Sequence, residues 1–114
     1  MGTALVMALV AATATGEALF QRCYACHSLN PAEQGLQGPN LAGDVGRRAA
    51  AVKGFDYSPA MRAAGDRGLA WTEAELDRFL TDAQAVVPQT SMFTPPLRDP
   101  ADRAALIAYL KGAR

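Results

Sequence analysis

Cysteine and histidine side chains occur together at one place in the chain, in the run Cys23-Tyr24-Ala25-Cys26-His27. The full sequence contains 2 cysteines and 1 histidine, so no other segment combines these groups. A C-x-x-C-H run is the attachment signature of c-type haem. If the run is helical, Cys23 and Cys26 share one face and His27 follows Cys23 by four residues. Thioether bonds from both cysteines would then fix the macrocycle beside the helix, and the imidazole of His27 would bind its iron.

The same run admits other interpretations, namely a disulfide, a zinc site and a thioredoxin-like redox pair. A structural zinc site needs four protein ligands, and two cysteines with one histidine fall short of that number. A catalytic zinc site with three ligands would be unusually compact here. A thioredoxin-like pair lies near a βαβ pattern, and the sequence contains no such pattern. The motif and its context therefore favour haem c.

Length and charge restrict the class of protein. The 114 residues suit a single domain. The chain is 50% hydrophobic, and its 11 basic and 11 acidic residues give a net charge of +0. A nucleic-acid-binding protein is expected to carry a basic stripe. We therefore predict one domain with no nucleic-acid partner.

Residues 1–14 differ in composition from the rest of the chain. The stretch from Ala4 to Ala12 is apolar and uncharged, and Ala12-Thr13-Ala14 has the small-x-small pattern of a signal cleavage site. A run of about ten apolar residues is too short to span a bilayer. We interpret residues 1–14 as a secretory signal and residues 15–114 as a single mature domain, although no lysine or arginine precedes the apolar run. The alternative is an ordinary N-terminal helix of the domain.

Capping residues and apolar periodicity predict an all-α domain. The helices are expected between loops rich in glycine and proline, over residues 15–27, 59–65, 73–85 and 100–111. Thr15, Ser58 and Asp99 are the expected N-caps of the first, second and last of these helices. Residues 72–75 read Thr-Glu-Ala-Glu, which is a capping box for the third helix. The sequence contains no convincing strand.

Iron held by one histidine has a sixth coordination position that decides its chemistry. A thioether in this position gives a one-electron carrier with a raised potential, whereas an open position permits small-molecule binding or oxygen chemistry. Met1 and Met7 lie in the predicted signal, which leaves Met61 and Met92. Met61 falls on an apolar helical face, where methionine usually fills core space. Met92 lies on a proline-rich loop, so we expect Met92 to be the ligand, with Met61 or an open position as alternatives.

The loop after His27 contains the turn sequence Gly38-Pro39-Asn40-Leu41. A ligating histidine usually donates its second ring N–H to a carbonyl or carboxylate, which fixes its tautomer. The carbonyl of Pro39 is a candidate, because the locked φ angle of proline would hold this part of the loop still. The distance of this turn from the C-x-x-C-H run makes the candidate stronger than the turn sequence alone.

Together these segments resemble the class I cytochromes c of the mitochondrial and short bacterial soluble type. The resemblance extends from Gly16 to Lys111. It implies a small cytochrome c fold in which about four helices wrap around one covalently bound haem. The matching segments are Cys23-Tyr24-Ala25-Cys26-His27, Gly38-Pro39-Asn40-Leu41, Gly54-Phe55-x-Tyr57-Ser58, Trp71, Pro88-x-Thr90-x-Met92 and Leu106-Ile107-Ala108-Tyr109-Leu110.

The resemblance also implies roles for single residues. His27 and Met92 would be the axial ligands, and Pro39 would supply the carbonyl to His27. Buried propionates need hydrogen-bonding partners, and the residues that match such positions are Arg47, Tyr57, Trp71 and Thr90. The helix-packing positions that match are Gly16 and Phe20 of the first helix against Leu106 and Tyr109 of the last. Tyr57 and Trp71 would also be ordinary core aromatics.

This chain departs from the family pattern in several places. It has Gln89 where glycine is common, so we expect the loop into Met92 to follow a different path. It has Phe79 where tyrosine is frequent, which removes a hydroxyl near the methionine sulfur. Mitochondrial members ring the haem edge with lysines, but this chain has only Lys53 and Lys111. A charged rim steers association, so we expect partners to dock here with little charge steering.

The sequence therefore predicts an exported, periplasmic electron-transfer protein of a bacterium, not an enzyme. Its redox protein donor and acceptor would dock at the exposed haem edge, with membrane contact only through a partner complex. Export agrees with haem c, which bacteria attach outside the cytoplasm. Two alternatives stay open: an electron-entry subunit of a larger redox complex, and a haem peroxidase or gas-binding protein with an open sixth position.

Overall fold

Helices connected by long loops make up the architecture in the computed structural model, which describes residues 15–24, 26–33, 36–92 and 96–113. The predicted signal, residues 1–14, lies outside these ranges. Within them the helices are α1 (Gly16–Phe20), α2 (Pro59–Asp66), α3 (Glu73–Thr81), α4 (Ala83–Val86) and α5 (Pro100–Lys111). The described residues form no strand, only an isolated antiparallel bridge between Arg48 and Ala70. None of these helices is long and apolar enough to cross a membrane. The all-α prediction is confirmed.

Short polar side chains fix the start of each predicted helix. The Thr15 hydroxyl accepts from the Ala18 N–H at 3.1 Å, and the Asp99 carboxylate accepts from the Ala101 N–H at 2.9 Å. Ser58 likewise caps α2. These oxygens satisfy N–H groups that a helix leaves without intrahelical partners. The capping prediction is therefore confirmed at all three positions.

The predicted capping box forms only in part. Thr72 accepts from the Glu75 N–H at 3.2 Å, as a capping box requires. The Glu75 carboxylate pairs instead with Arg78, at 2.8 Å. The box is therefore one-sided, because an arginine one turn along the helix takes the carboxylate.

The helix predicted over residues 73–85 is two helices. Asp82 adopts an extended conformation, with φ −158° and ψ 99°, between the end of α3 and the start of α4. Its carboxylate accepts from the Gln84 N–H at 3.1 Å, so it caps α4. Aspartate side chains compete for backbone N–H groups in this way and favour helix starts over helix interiors. The break therefore has a local cause that the apolar periodicity concealed.

The helix predicted over residues 15–27 is shorter in the structure. Helix α1 ends at Phe20, and residues 21–24 and 26 form turns before His27. The Tyr24 N–H donates to the Phe20 carbonyl at 3.1 Å, and the His27 N–H donates to the Cys23 carbonyl at 2.9 Å. These four-residue spacings keep Cys23 and His27 in the helix-like relationship that the motif needs.

Helix α1 packs against α5 and closes the core. A Cβ atom on Gly16 would lie against the Ala105 carbonyl and 2.5 Å from the Tyr109 Cβ, so the two backbones approach too closely for any other residue. The Phe20 and Tyr109 rings contact with centroids 5.9 Å apart. Leu106 is almost fully buried, whereas Tyr109, expected on the buried face, is 36% exposed. This helix pair forms one wall of the fold, and the loops between α1 and α3 face a cavity.

Candidate cofactor site

A cavity of about 420 Å³ opens between the C-x-x-C-H turn, the central loops and α3. This volume lies within the range typical of ligand sites, ~300–1,000 Å³. Its wall contains most of the residues singled out from the sequence: Cys23, Cys26, His27, Pro39, Tyr57, Trp71, Thr90 and Met92. Apolar side chains complete it, namely Leu41, Phe55, Met61, Leu76, Phe79 and Leu110. The fold thus brings residues from distant parts of the chain around one largely apolar space.

His27 is buried and its ring is fixed from two sides. The Nδ1 atom lies 2.8 Å from the Pro39 carbonyl oxygen, the acceptor expected from the sequence. A proton on Nδ1 satisfies this bond and leaves the Nε2 lone pair free to bind a metal. A Cβ atom on Gly38 would lie 2.7 Å from Nδ1 and 2.8 Å from Nε2. Only glycine therefore fits against the imidazole at this position.

Cys23 and Cys26 both line the cavity as free cysteines. Burial raises the pKa of the Cys23 thiol, an effect that the nearby Arg22 charge opposes and Cys26 adds to. The disulfide interpretation does not match this state. Within the described ranges, no three His, Cys, Asp or Glu side chains lie close enough to hold a metal ion together. The thiols are instead placed for covalent attachment of a group that fills the cavity.

Met92 lines the cavity from the loop that follows α4. Its side chain is partly buried and packs against the core, and its N–H donates to the Thr90 hydroxyl at 3.3 Å. Met61 also lines the cavity, from helix α2, and also packs against the core. Both candidate thioethers therefore reach the same space, one from a helix and one from a loop.

Arg47 lies behind the cavity, held in a network of acceptors. Its guanidinium donates to Asp44 at 2.8 Å, to the Ala42 carbonyl at 3.1 Å and to the Asn40 carbonyl at 3.2 Å. Arg47 contributes to a second cavity of about 200 Å³, which shares Gly38, Pro39 and Phe55 with the first. The structure thus places Arg47 next to the main cavity, not among the residues that line it.

Asp44 is a cavity residue that the sequence analysis missed. Its side chain lines the main cavity, is only 14% exposed and pairs with Arg47. Burial raises the pKa of the Asp44 carboxyl, although the charge of Arg47 and its hydrogen bond act in the opposite direction. The available signal was the spacing of an acidic residue three positions before Arg47, but this spacing alone does not indicate burial.

Tyr57 and Trp71 occupy the cavity wall as packed aromatics. The Tyr57 hydroxyl accepts from the Val52 N–H at 3.0 Å, which leaves its own proton available to donate. Burial raises the pKa of Tyr57. Trp71 is buried and packs edge-to-face against Phe79, with ring centroids 5.0 Å apart. Their predicted role as propionate partners stays a prediction, and their packing role is visible directly.

Comparisons with known proteins agree with this geometry. The profile of the family described as "Cytochrome c" matches residues 13–114. The cytochrome c2 of Rhodomicrobium vannielii is 40% identical over 114 residues, covering 96% of this chain and 89% of the relative. The cytochrome c2 of Afifella marina is 39% identical over 98 residues, covering 86% of this chain and 79% of the relative. The chain belongs to the cytochrome c family.

Solved structures agree on the fold of this cytochrome c. The structure of cytochrome c2 from Rhodospirillum centenum superposes with a TM-score of 0.78 at 35% identity, covering 86% of this chain and 94% of the other. The protein accordingly has the small all-α cytochrome c fold and acts as an electron carrier. Haem c is attached through Cys23 and Cys26.

The residues around the cavity fit haem c on their own chemistry. Both thiols and the free Nε2 of His27 line the same apolar space. Among the described residues, the Arg47 Nε atom is the buried side-chain polar atom without a hydrogen-bond partner. A buried donor of this kind is normally satisfied, and a carboxylate of the haem is a suitable acceptor.

Gln89 lies where the resemblance to class I cytochromes c implies glycine. Its φ angle is +66°, within the left-handed region that glycine favours. The replacement therefore does not remove the left-handed turn, and a side chain is held in a conformation that it rarely adopts. Some other contact must stabilise this turn, since the residue itself does not.

Proposed function

We propose that this cytochrome c is an exported one-electron carrier whose haem iron is ligated by His27 and Met92. The observation that supports this proposal is the shared cavity, whose wall contains His27, Met92 and both attachment cysteines. Haem supplies reversible one-electron chemistry, and His/Met ligation raises its potential. The protein then has to orient, ligate and bury the group, and no substrate needs to be transformed.

Each cavity residue has a task in this function. The Pro39 carbonyl holds the His27 tautomer, so that Nε2 stays available to the iron. Met92 closes the sixth position from its loop. Tyr57, Trp71 and Thr90, which line the cavity, would supply hydrogen-bond donors for the propionates, and so would Arg47 beside it, whose buried Nε atom has no partner. The apolar wall excludes water, which favours the less charged, reduced iron.

Visible spectroscopy of Met92→Ala and Met61→Ala tests the ligand assignment. The oxidised wild-type protein should show an iron–sulfur charge-transfer band, and the reduced protein should bind carbon monoxide poorly. Met92→Ala should lose the band and bind carbon monoxide readily, because its sixth position is open. Met61→Ala is the matched control and should retain both properties. Loss of the band in Met61→Ala alone would reassign the ligand, and its absence in the wild type would favour a peroxidase or gas-binding function.

Export and localisation complete the proposal. The chain is similar to bacterial cytochromes c2, and residues 1–14 have the composition of a signal. We therefore place the mature protein in the periplasm, beginning at Thr15. N-terminal sequencing of haem-loaded protein from a periplasmic fraction checks both points. Retention of residues 1–14, or accumulation in the cytoplasm, would contradict them.

The partners are redox proteins that receive or supply the electron at the exposed haem edge. Lysine is scarce, with Lys53 and Lys111 the only two in the sequence, so docking depends little on charge. Membrane contact occurs only through such a partner. The same scarcity would suit the second candidate, a subunit held permanently in a larger redox complex. Gel filtration of native extract separates them, since a free carrier elutes at the size of one mature chain, residues 15–114, with its haem.

A further inference from the structure

Gln84 of helix α4 contacts the loop that carries Met92 with both ends of one side-chain amide. Its Oε1 atom accepts from the Gln89 N–H at 2.8 Å. Its Nε2 atom donates to the Thr90 carbonyl at 3.1 Å. One side chain thereby satisfies a backbone donor and a backbone acceptor in adjacent residues of the loop.

These bonds are made where the loop is conformationally strained. Gln89 holds φ at +66°, a conformation that persists in a non-glycine residue only when its surroundings determine it. Gln84 accepts from the N–H of this same residue. The Gln84 amide is therefore a side-chain contact that stabilises the left-handed turn, in addition to the hydrogen bond from the Thr90 N–H to the Val87 carbonyl within the turn.

The hydrogen-bonded chain continues from this turn to Met92. Thr90 is buried, and its N–H donates to the Val87 carbonyl at 3.0 Å. The Thr90 hydroxyl then accepts from the Met92 N–H. Gln84, where this series of hydrogen bonds begins, is also held in place, because its N–H donates to the Asp82 carboxylate. The position of the Met92 backbone therefore depends on Gln84 through one intermediate residue.

We propose that Gln84 is the positioning residue for the Met92 ligand. This inference rests on the proposed His27/Met92 ligation. Gln84 does not touch the iron; its amide keeps the Gln89 turn closed, and the closed turn holds the Met92 sulfur in the cavity. When the amide is removed, the loop opens more often, and the sixth position becomes accessible to an external ligand.

Imidazole binding to the oxidised holoprotein measures this opening, since imidazole can occupy the iron only after Met92 has left. In Gln84→Ala, which loses both hydrogen bonds of the amide, we expect the imidazole dissociation constant to fall roughly tenfold, the combined net effect of two hydrogen bonds. Gln84→Glu keeps the acceptor for the Gln89 N–H but loses the donor to Thr90, so an intermediate value is expected. Gln21→Ala, at an exposed position at the end of α1, is the matched control and should bind imidazole like the wild type.

A double-mutant cycle with Gln89→Gly separates positioning from a general loss of stability. Glycine adopts the left-handed turn without strain, so Gln84→Ala should change imidazole affinity less in the Gln89→Gly background. Equal effects in both backgrounds would overturn the link between the amide and the turn. Unchanged imidazole affinity in Gln84→Ala, with its iron–sulfur band intact, would overturn the inference as a whole. If Gln84→Ala does not accumulate, unchanged affinity in Gln84→Met, which also lacks both amide groups, decides in the same way.

The same measurements distinguish this inference from the ligation on which it depends. If Met92 is not the ligand, the wild-type protein itself lacks the iron–sulfur band, and Gln84 variants then have no ligand to release. If the wild type shows the band and the Gln84 variants bind imidazole like the wild type, the ligation stands and the positioning role of Gln84 fails.

Discussion

The His27 end of the cavity is fixed by backbone atoms and close packing, whereas the Met92 end is fixed by the side-chain amide of Gln84. At the first end, the Pro39 carbonyl lies 2.8 Å from the imidazole and Gly38 packs directly against its ring. At the second, the loop depends on two bonds from Gln84 around a strained Gln89. A close-packed contact has little room to adjust, while a loop held by a few hydrogen bonds opens locally at small cost. Under the proposed ligation, exchange of an iron ligand should therefore begin at Met92 and not at His27.

Gly38→Ala should have the largest effect and tests the packed end. Its Cβ atom would overlap the His27 ring, and overpacking of this kind costs about 1–3 kcal/mol of unfolding free energy. Urea unfolding of the oxidised holoprotein measures the loss. Gly112→Ala is the control, because its nearest neighbour would be the Tyr109 carbonyl oxygen at an ordinary 3.6 Å. Equal stability of the two variants would show that the imidazole moves freely and would remove the contrast between the ends.

Thr90→Val tests the loop end and should have a smaller effect. The valine lacks the hydroxyl that accepts from the Met92 N–H, a loss of about 1 kcal/mol. The pH at which the iron–sulfur band disappears should then fall by roughly 0.7 unit for a one-proton exchange. Thr90→Ser keeps the hydroxyl and should retain the wild-type midpoint. Identical midpoints in the valine and wild-type proteins would show that this bond does not hold Met92.

Asp44→Asn should change how stability depends on pH. Burial raises the pKa of Asp44 in the folded protein, so the folded state keeps its proton at pH values where the unfolded chain has lost it. The stabilising contribution is complete below the ordinary aspartate pKa of about 4 and is lost as pH rises through the higher folded value. Wild-type stability should thus decline with pH relative to Asp44→Asn and then level off. Because the pair with Arg47 is partly exposed, the total change should stay below about 1 kcal/mol.

Urea unfolding across a pH series at a fixed oxidation state measures this difference. Asp56→Asn is the matched control, because Asp56 forms a similar 2.9 Å pair with Arg62 but is 96% exposed. Its stability should run parallel to that of the wild type. A parallel profile for Asp44→Asn as well would mean that Asp44 is not buried in the holoprotein.

Salt should have the smallest effect, on electron-transfer rates at the exposed edge. Strong electrostatic steering changes association rates by about 10- to 1,000-fold, and this chain's 11 basic residues are balanced by 11 acidic ones. The rate with its native partner should therefore vary by less than about tenfold between low and physiological ionic strength. Ser91→Lys adds a positive charge next to Met92 and should make the rate more sensitive to salt. A steep salt dependence in the wild type would show that docking is charge-steered after all.

Features encoded locally were predictable from the sequence. Thr15, Ser58 and Asp99 cap helices because their side chains reach N–H groups two or three residues away, and the C-x-x-C-H spacing is likewise local. The break at Asp82 was not predictable, because the apolar positions on both sides continue the helical period. The chain at Asp82 can either continue the helix or start a new one capped by the Asp82 carboxylate, and the apolar period does not show which of the two it adopts.

The missed site residues owe their importance to burial, in the case of Asp44, and to contacts across the following turn, in the case of Gln84. Asp44 appears as an ordinary loop acid until folding places it on the cavity wall. Gln84 appears as an exposed helical amide until the loop returns to it at Gln89 and Thr90. Sequence patterns record which residues share a helical face, but they do not record which loop folds back against that face.

The contact between Gly16 and helix α5 sets when this protein can finish folding. The first helix finds its packing surface only on the last one, at Ala105 and Tyr109. The core can therefore close only when nearly the whole polypeptide, from its first helix to its last, is available to fold.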